Sequence, residues 1–165
     1  MKRAIISLGS NLGDRLSNLE EALWLISLEG VYNLRCSSVY SSDPQGFESE
    51  NKFLNMVAVF YSALQADEIL KLLLEVETRM GRVRIGKSYS DRKIDLDLLD
   101  VEGITIQGQE LTLPHPRMHQ RDFVLIPLLE VCPDWVHPVL KHNIDRFLGE
   151  LPPGFFLQKA HNPLC

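Results

Sequence analysis

The sequence has only three cysteines in 165 residues, Cys36, Cys132 and Cys165. They are widely spaced and odd in number, so they read neither as the framework of a small disulfide-stapled domain nor as a C-x-x-C metal or redox pair. A reducing compartment, the cytoplasm, is the expectation. Long apolar runs are missing as well: the stretch from Val124 to Leu129 is broken by Pro127 and falls far short of the ~20 residues that cross a bilayer. The basic start Met1-Lys2-Arg3 is followed by an apolar run from Ala4 to Leu8 that contains Ser7, shorter than the roughly 7 to 15 residues of a signal-peptide core. Neither secretion nor membrane association is predicted. Positive charge is also scarce, with 17 Lys and Arg against 22 Asp and Glu for a net charge of −5, which argues against broad binding to a nucleic-acid backbone. What positive charge exists is concentrated. Between Arg79 and Lys93 six basic residues face one acid, Asp91, so this window carries +5 and the remainder −10.

Composition is otherwise that of a globular protein, 45% hydrophobic and 24% charged, and the length fits one domain, residues 1–165. There is no linker, internal repeat or low-complexity tract. Lys2 to Leu8 reads as a buried strand, and Asp14 can cap a helix with the apolar stripe Leu16, Leu19, Leu23 and Ile26, ending at Gly30. Val31 to Ser41 and Phe53 to Tyr61 read as two strands able to pair as a hairpin across a turn-rich stretch with Pro44 and Gly46. Asp67 can cap a second helix through Ile69, Leu73, Val76 and Met80, with Gly81 just past its end. Lys93 to Val101 alternates Ile94, Leu96 and Leu98 with Lys93, Asp95 and Asp97, the period of a half-buried strand. The order is βαββαβ. It predicts an α+β domain of the split βαβ, ferredoxin-like kind, an antiparallel sheet with helices on one face and the other face free for ligands. Beyond it, a short hairpin around Gly108, a helix over Asp122 to Val131 interrupted at Pro127, and a short helix over Asn143 to Gly149 are predicted.

Asp95 and Asp97 are two apart on a strand, so their carboxylates leave one face with Cα atoms about 6 to 7 Å apart. Two such carboxylates can hold hard cations that keep water and phosphate in their shells; solvated decoration of an exposed sheet face is the plainer alternative. Arg82, Arg84 and Arg92 precede that strand and can bind phosphate oxygens bidentately, although basic loops are common. Gly81 to Ser88 matches G-x-x-x-x-G-K-[ST] letter for letter, but a P-loop follows a strand and opens a helix. This segment follows a helix and leads into a strand, so the match is set aside. Pro114-His115-Pro116-Arg117-Met118-His119-Gln120-Arg121 offers two histidines and two arginines. Zinc is disfavoured because no third ligand stands at a recognised spacing, and phosphate contact is the better reading. Phe53 and Phe123, otherwise ordinary core residues, could sandwich a flat heterocycle, with Asn55 on the face of Phe53 reading its edge.

Six segments in order resemble the 6-hydroxymethyl-7,8-dihydropterin pyrophosphokinases of folate biosynthesis. They are Gly9 to Leu12, Ser37 to Tyr40, Phe53 to Asn55, Gly81 to Arg84, Arg92 to Leu99, and Leu113 to Leu125, within a match from residue 4 to about 134. The resemblance implies a ferredoxin-like fold and transfer of pyrophosphate from the co-substrate ATP to the pterin hydroxymethyl oxygen, leaving AMP. It implies two Mg²⁺ ions held by Asp95 and Asp97, with Arg82 and Arg92 supporting catalysis. The pterin would lie between Phe53 and Phe123, against Asn55, Asp95 and main-chain groups near Ser42, Asp43 and Gln45. The nucleotide would meet Leu70, Glu77, Leu98 and Thr112, with Arg82, Arg84, Arg92, His115 and Arg121 at its phosphates and the loop from Arg82 to Arg92 closing as a lid. The implied partners are these small molecules, with no nucleic acid and no membrane, and the implied assembly is a monomer or weak homodimer. Tyr89-Ser90-Asp91 departs from the Trp-Gly-Pro of many members, Asp43 from a frequent Pro, Leu74 from a polar residue near the ribose, and Glu110 from an often basic site near the adenine. A non-catalytic ferredoxin-like module binding RNA or another ligand is the alternative; the acidic total and the lack of an aromatic RNP-type strand speak against it.

Overall fold

The computed structural model describes residues 1–83, 89–153 and 157–165. Its centre is two strands buried along almost their whole length, β1 (Lys2–Ser10) and β4 (Phe53–Ser62). Their near-continuous apolar runs follow from having a layer on each face. They pair antiparallel from Lys2 with Ser62 to Ser10 with Leu54. β5 (Asp95–Val101) lies on the far side of β1, also antiparallel. The stretch predicted as one strand from Val31 to Ser41 is two, β2 (Val31–Cys36) and β3 (Val39–Ser42), both pairing antiparallel with β4. The break falls at two buried serines: the Ser37 hydroxyl donates to the Ser38 carbonyl and accepts from the Val57 amide, which takes the backbone out of the ladder. A further strand, β8 (Gln158–His161), adds to the edge of β3 and was not foreseen. The sheet order is β5-β1-β4-β3-β8, with β2 beside β3 on β4.

Alternation sends each strand's residues to two layers. Ala4, Ile6 and Leu8, with Met56, Ala58 and Leu96, form a core with α1 (Arg15–Ser27) and α2 (Ala66–Arg79). Asp14 caps α1 as expected, its Oδ1 accepting from the Ser17 amide at 3.1 Å. The cap of α2 is Gln65, two residues earlier than the predicted Asp67. Gln65 and Glu68 form a reciprocal capping box there, and Asp67 stands in the first turn.

The opposite face is not free along its length, contrary to the expectation of helices on one side only. Ile5, Val57, Val59 and Leu99 pack under α3 (Asp122–Val131) and α4 (Ile144–Glu150). Pro127 sits inside α3 without interrupting it; the ring is buried and a single intrahelical bond is forgone. A register shift in β5 turns two successive residues toward this layer, Leu99 and then Asp100, whose Oδ2 accepts from Trp135 Nε1 at 2.9 Å. Glu130 pins α3 to β3 by accepting from the Ser38 amide and the Tyr40 hydroxyl. The predicted hairpin around Gly108 is β6 (Ile106–Gln107) with β7 (Thr112–Leu113).

The cysteines do not all stand apart. Cys36 and Cys165 are joined by a disulfide, with Cα atoms 5.3 Å apart at a sequence separation of 129, while Cys132 is free and buried. The pairing of β8 with β3 brings the C-terminal segment back to the end of β2, a proximity that spacing in the sequence cannot express.

Candidate active site

Where α3 stops covering the sheet, the strands expose a polar floor. Gly9 is the partner of Asp95 on one side and of Asn55 on the other, so these three residues form one row across the sheet; Ser7 and Asp97 form part of the next. The row leaves no room at its centre. A Cβ on Gly9 would lie 3.0 Å from Asn55 Oδ1 and 3.5 Å from the Phe53 ring. Asn55 Nδ2 donates to Ser42 Oγ at 2.6 Å, fixing its amide against β3.

Above this floor is a cavity of about 400 Å³. One side holds Ser42, Asp43, Gln45 and Phe53, the other His115, Arg121 and Phe123, and the expected heterocycle residues are thus brought to a single pocket. Arginines stack on both rings: the Arg92 guanidinium lies 4.9 Å from the Phe53 centroid and that of Arg121 5.4 Å from Phe123. A second cavity, of about 650 Å³, adjoins it and shares Asp97 and His115 with it. Its walls are Leu70, Leu74, Leu96, Leu98 and Leu111, with Thr112 and Glu110 at the hairpin. An apolar slot opening onto a cationic cavity suits a molecule with a flat apolar end and an anionic end.

The charges are tightly organised. Arg82 Nη1 donates to Asp95 Oδ1 at 2.6 Å and to Glu77 Oε1 at 2.5 Å, and Arg92 Nη2 donates to Asp95 Oδ2 at 2.9 Å. Burial alone would raise the Asp95 carboxyl, but Arg92 and Arg82 outweigh it and hold it below the usual carboxylate range. Among the described residues Asp97 has no such clamp. The nearest cation among them is Arg121 at 3.7 Å, and burial reinforced by the Asp95 charge lifts the Asp97 carboxyl to about 6. Glu77 lines neither cavity; it is buried beneath the sheet end and also accepts from the Leu96 amide at 2.7 Å, so it anchors Arg82 and the start of β5 from below. His115 is pushed down to about 4 by burial and by Arg121 and Arg117. Its Nδ1 accepts from the Arg117 amide, so the neutral ring carries its proton on Nε2 and can donate there.

The donor set fits a hard divalent cation. Asp95 and Asp97 present carboxylate oxygens from one strand face into one cavity, and the like-charge crowding at Asp97 is what a cation relieves. Among the described residues no group of three or more His, Cys, Asp or Glu gathers as a metal site, here or elsewhere, so the aspartate pair is the candidate. Two protein ligands leave most of the coordination shell to water and phosphate, as Mg²⁺ prefers.

Arg84 and residues 85–88, the middle of the expected lid and most of the P-loop match, lie outside the described residues. Gly81, with φ +86°, ends α2 rather than following a strand, which agrees with setting that match aside. His119 does not reach the cavity: its ring packs 5.3 Å from Phe147 and 5.5 Å from His137. Ser7, Gly9, Tyr89, Arg117 and Gln120 also line the first cavity. Arg117 is the first of the two arginines in the 114–121 segment that suggested phosphate contact, and Tyr89 opens the departure from Trp-Gly-Pro; Ser7 and Gly9 had only the alternation of β1 as a signal.

The comparisons with known proteins agree with this geometry. Residues 5–133 match the family model described as 7,8-dihydro-6-hydroxymethylpterin-pyrophosphokinase. A Porphyromonas gingivalis 2-amino-4-hydroxy-6-hydroxymethyldihydropteridine pyrophosphokinase is 44% identical over 137 residues, covering 81% of this chain and 92% of the relative. A Bacillus subtilis protein of the same name is 39% identical, covering 78% and 77%. Among solved structures, a Plasmodium falciparum HPPK-DHPS chain superposes with TM-score 0.72 at 16% identity. It covers 90% of this chain, which spans only 45% of that longer chain. The two adjoining cavities, Asp97 at their junction with Asp95 beside it, and the family match across residues 5–133 lead to one assignment: this chain belongs to the 7,8-dihydro-6-hydroxymethylpterin-pyrophosphokinase family.

Proposed function

We infer that the chain transfers the terminal diphosphate of ATP to the hydroxymethyl oxygen of 6-hydroxymethyl-7,8-dihydropterin, giving AMP and the pterin diphosphate, a step of folate biosynthesis. The observation that carries this reading is the meeting of a stacking pocket and an apolar nucleotide-sized slot at Asp97, ringed by Arg82, Arg92 and Arg121. In it, Phe53 and Phe123 grip the pterin faces while Asn55, held by Ser42, reads its edge. Asp43 and Gln45 close that pocket from the β3 side. Leu70, Leu98 and Thr112 receive the nucleoside. His115, Arg121 and Arg92 take the phosphates, with Arg84 expected to join them. Asp95 and Asp97 would hold Mg²⁺, two ions by family resemblance, which would neutralise charge on the transferring group and orient the attacking hydroxyl. Arg82 keeps Asp95 ionised, and Glu77 keeps Arg82 in place. No side chain stands out as a general base, so positioning and fixed charge supply most of the rate.

The strand order and the two helices of the first layer support the ferredoxin-like arrangement, and we take residues 1–165 as one catalytic domain. A monomer or weak homodimer is the assembly we propose. None of the described helices is long and apolar enough to cross a membrane; ATP as co-substrate supports a cytoplasmic setting. The RNA-binding alternative is not favoured, because the sheet face that would stack bases is half covered by α3. The test is phosphorus NMR of products after incubation with ATP, Mg²⁺ and 6-hydroxymethyl-7,8-dihydropterin. AMP with a pterin diphosphate supports the reading; ADP, or no turnover despite nucleotide binding, overturns it.

A further inference from the structure

Four arginines among the described residues line the first cavity, Arg82, Arg92, Arg117 and Arg121. Three of them already answer to carboxylates: Arg82 to Glu77 and Asp95, Arg92 to Asp95, and Arg121 to Asp97. Arg117 does not. Among the described residues its side chain meets no acid; Nη2 donates to the Tyr89 hydroxyl at 2.6 Å, and the guanidinium lies 5.9 Å from the Tyr89 ring centroid. A phosphate drawing on Arg82 or Arg92 must share them with buried acids, whereas one drawing on Arg117 displaces only a neutral hydroxyl. The exchange replaces a charge–dipole bond with a charge-assisted, bidentate one and breaks no ion pair.

The setting points the same way. Arg117 lies between His115, which opens onto both cavities, and Arg121. Burial, with the charge of Arg117 added, holds both of those groups below their ordinary values. Two arginines and a donating neutral imidazole at one cavity rim suit an anion that bridges them. On the other side, the Tyr89 ring covers Gly46, where a Cβ would lie 3.4 Å from Tyr89 Cδ2, and lies 5.8 Å from the Arg92 guanidinium. Tyr89 therefore stands on the pterin side of the cavity and Arg117 on the phosphate side.

We propose that Arg117 is a phosphate-binding residue for the outer phosphates of ATP, and that it exchanges the Tyr89 hydroxyl for them when the nucleotide binds. The proposal rests on the pyrophosphokinase reading of the site, but its test does not need turnover. The wild type, Arg117→Met, Arg117→Lys and Tyr89→Phe are titrated calorimetrically with ATP and with AMP, each with Mg²⁺, over a range of salt concentrations. Arg117→Met weakens ATP by about tenfold to a hundredfold, the usual worth of a hydrogen bond to a charged group. It leaves AMP within about twofold and flattens the salt dependence of ATP binding. Arg117→Lys recovers part of the loss. Tyr89→Phe, which removes only the competing acceptor, leaves ATP binding unchanged or tighter. The proposal falls if Arg117→Met binds ATP as the wild type does, or loses ATP and AMP equally, as a merely structural change would. It also falls if Tyr89→Phe costs as much ATP affinity as Arg117→Met. If the ATP-specific loss is found while the wild type makes no AMP with the pterin, Arg117 stands as a polyphosphate ligand and the pyrophosphokinase reading fails by itself.

Discussion

The two faces of the sheet are made by alternate residues of the same strands, yet they solve different problems. Toward α1 and α2, the run Ala4, Ile6, Leu8 on β1 and Leu54, Met56, Ala58, Phe60 on β4 is apolar from end to end. Toward α3 and α4, each strand changes character midway. Ile5 gives way to Ser7 and Gly9, Val59 and Val57 to Asn55 and Phe53, and Leu99 to Asp97 and Asp95. One face is thus wholly structural, and the other is half core and half candidate active site, with the boundary crossing three strands. A site placed on such a floor inherits the rigidity of the core behind it while contributing little to stability itself.

That contrast can be broken most sharply at Asp97. Asp97→Asn should lower the rate of AMP formation by at least about a thousandfold, the scale of losing a metal or transition-state charge ligand. It should not lower the melting temperature, since the substitution removes a crowded negative charge beside Asp95. Thermal unfolding read beside steady-state rates checks both halves, and near-wild-type turnover at limiting Mg²⁺ would undo the assignment. On the other face, Leu73 is fully buried in the α2 layer, so Leu73→Ala should cost about 2–5 kcal/mol in urea unfolding. The rate per folded molecule should stay unchanged; a matching loss of activity would mean the faces are not separable. Asn55→Ala lies on the boundary, and removing its amide should raise the KM for the pterin about tenfold with the KM for ATP unaltered, which initial-rate kinetics with each substrate varied can decide.

The smallest effect concerns the apolar half of the second face. His137 is 5% exposed and its Nδ1 accepts from the Val139 and Leu140 amides. Burial, with His119 and His142 nearby, pushes it down to about 4 from 6.5. The unfolded chain therefore binds the extra proton first, so this contribution is complete above pH 6.5 and is lost as pH falls toward 4. Urea midpoints between pH 7 and 4.5 should decline, and decline less steeply in His137→Asn; identical slopes would remove His137 from the account.

The central elements were legible because their signals are local. Asp14 ahead of the Leu19, Leu23, Ile26 stripe, the alternation through Leu96 and Leu98, and the Asp95/Asp97 pair depend only on neighbours in sequence. Most of what escaped depends on distant partners. Asp67 is the exception: it looked like the cap of α2, and an equally local signal, the Gln65–Glu68 capping box, takes that place. The run through Val31 looked continuous because the carbonyl and amide that divert Ser37 belong to Ser38 and Val57. Glu77 looked like a nucleotide contact, whereas the structure turns it beneath the sheet to hold Arg82. Cys36 and Cys165 looked unrelated because only the return of β8 to β3 brings them together.

That return has a topological result. The bond between Cys36 and Cys165 closes most of the polypeptide into a covalent ring that contains β4, both active-site aspartates, α3 and α4. A protease that cuts once anywhere inside the ring releases nothing, since both pieces stay tied through the sulfurs until a reductant opens them. Cleavage between Ser62 and Arg79 would therefore yield a nicked molecule of unchanged mass on a non-reducing gel and two fragments on a reducing one.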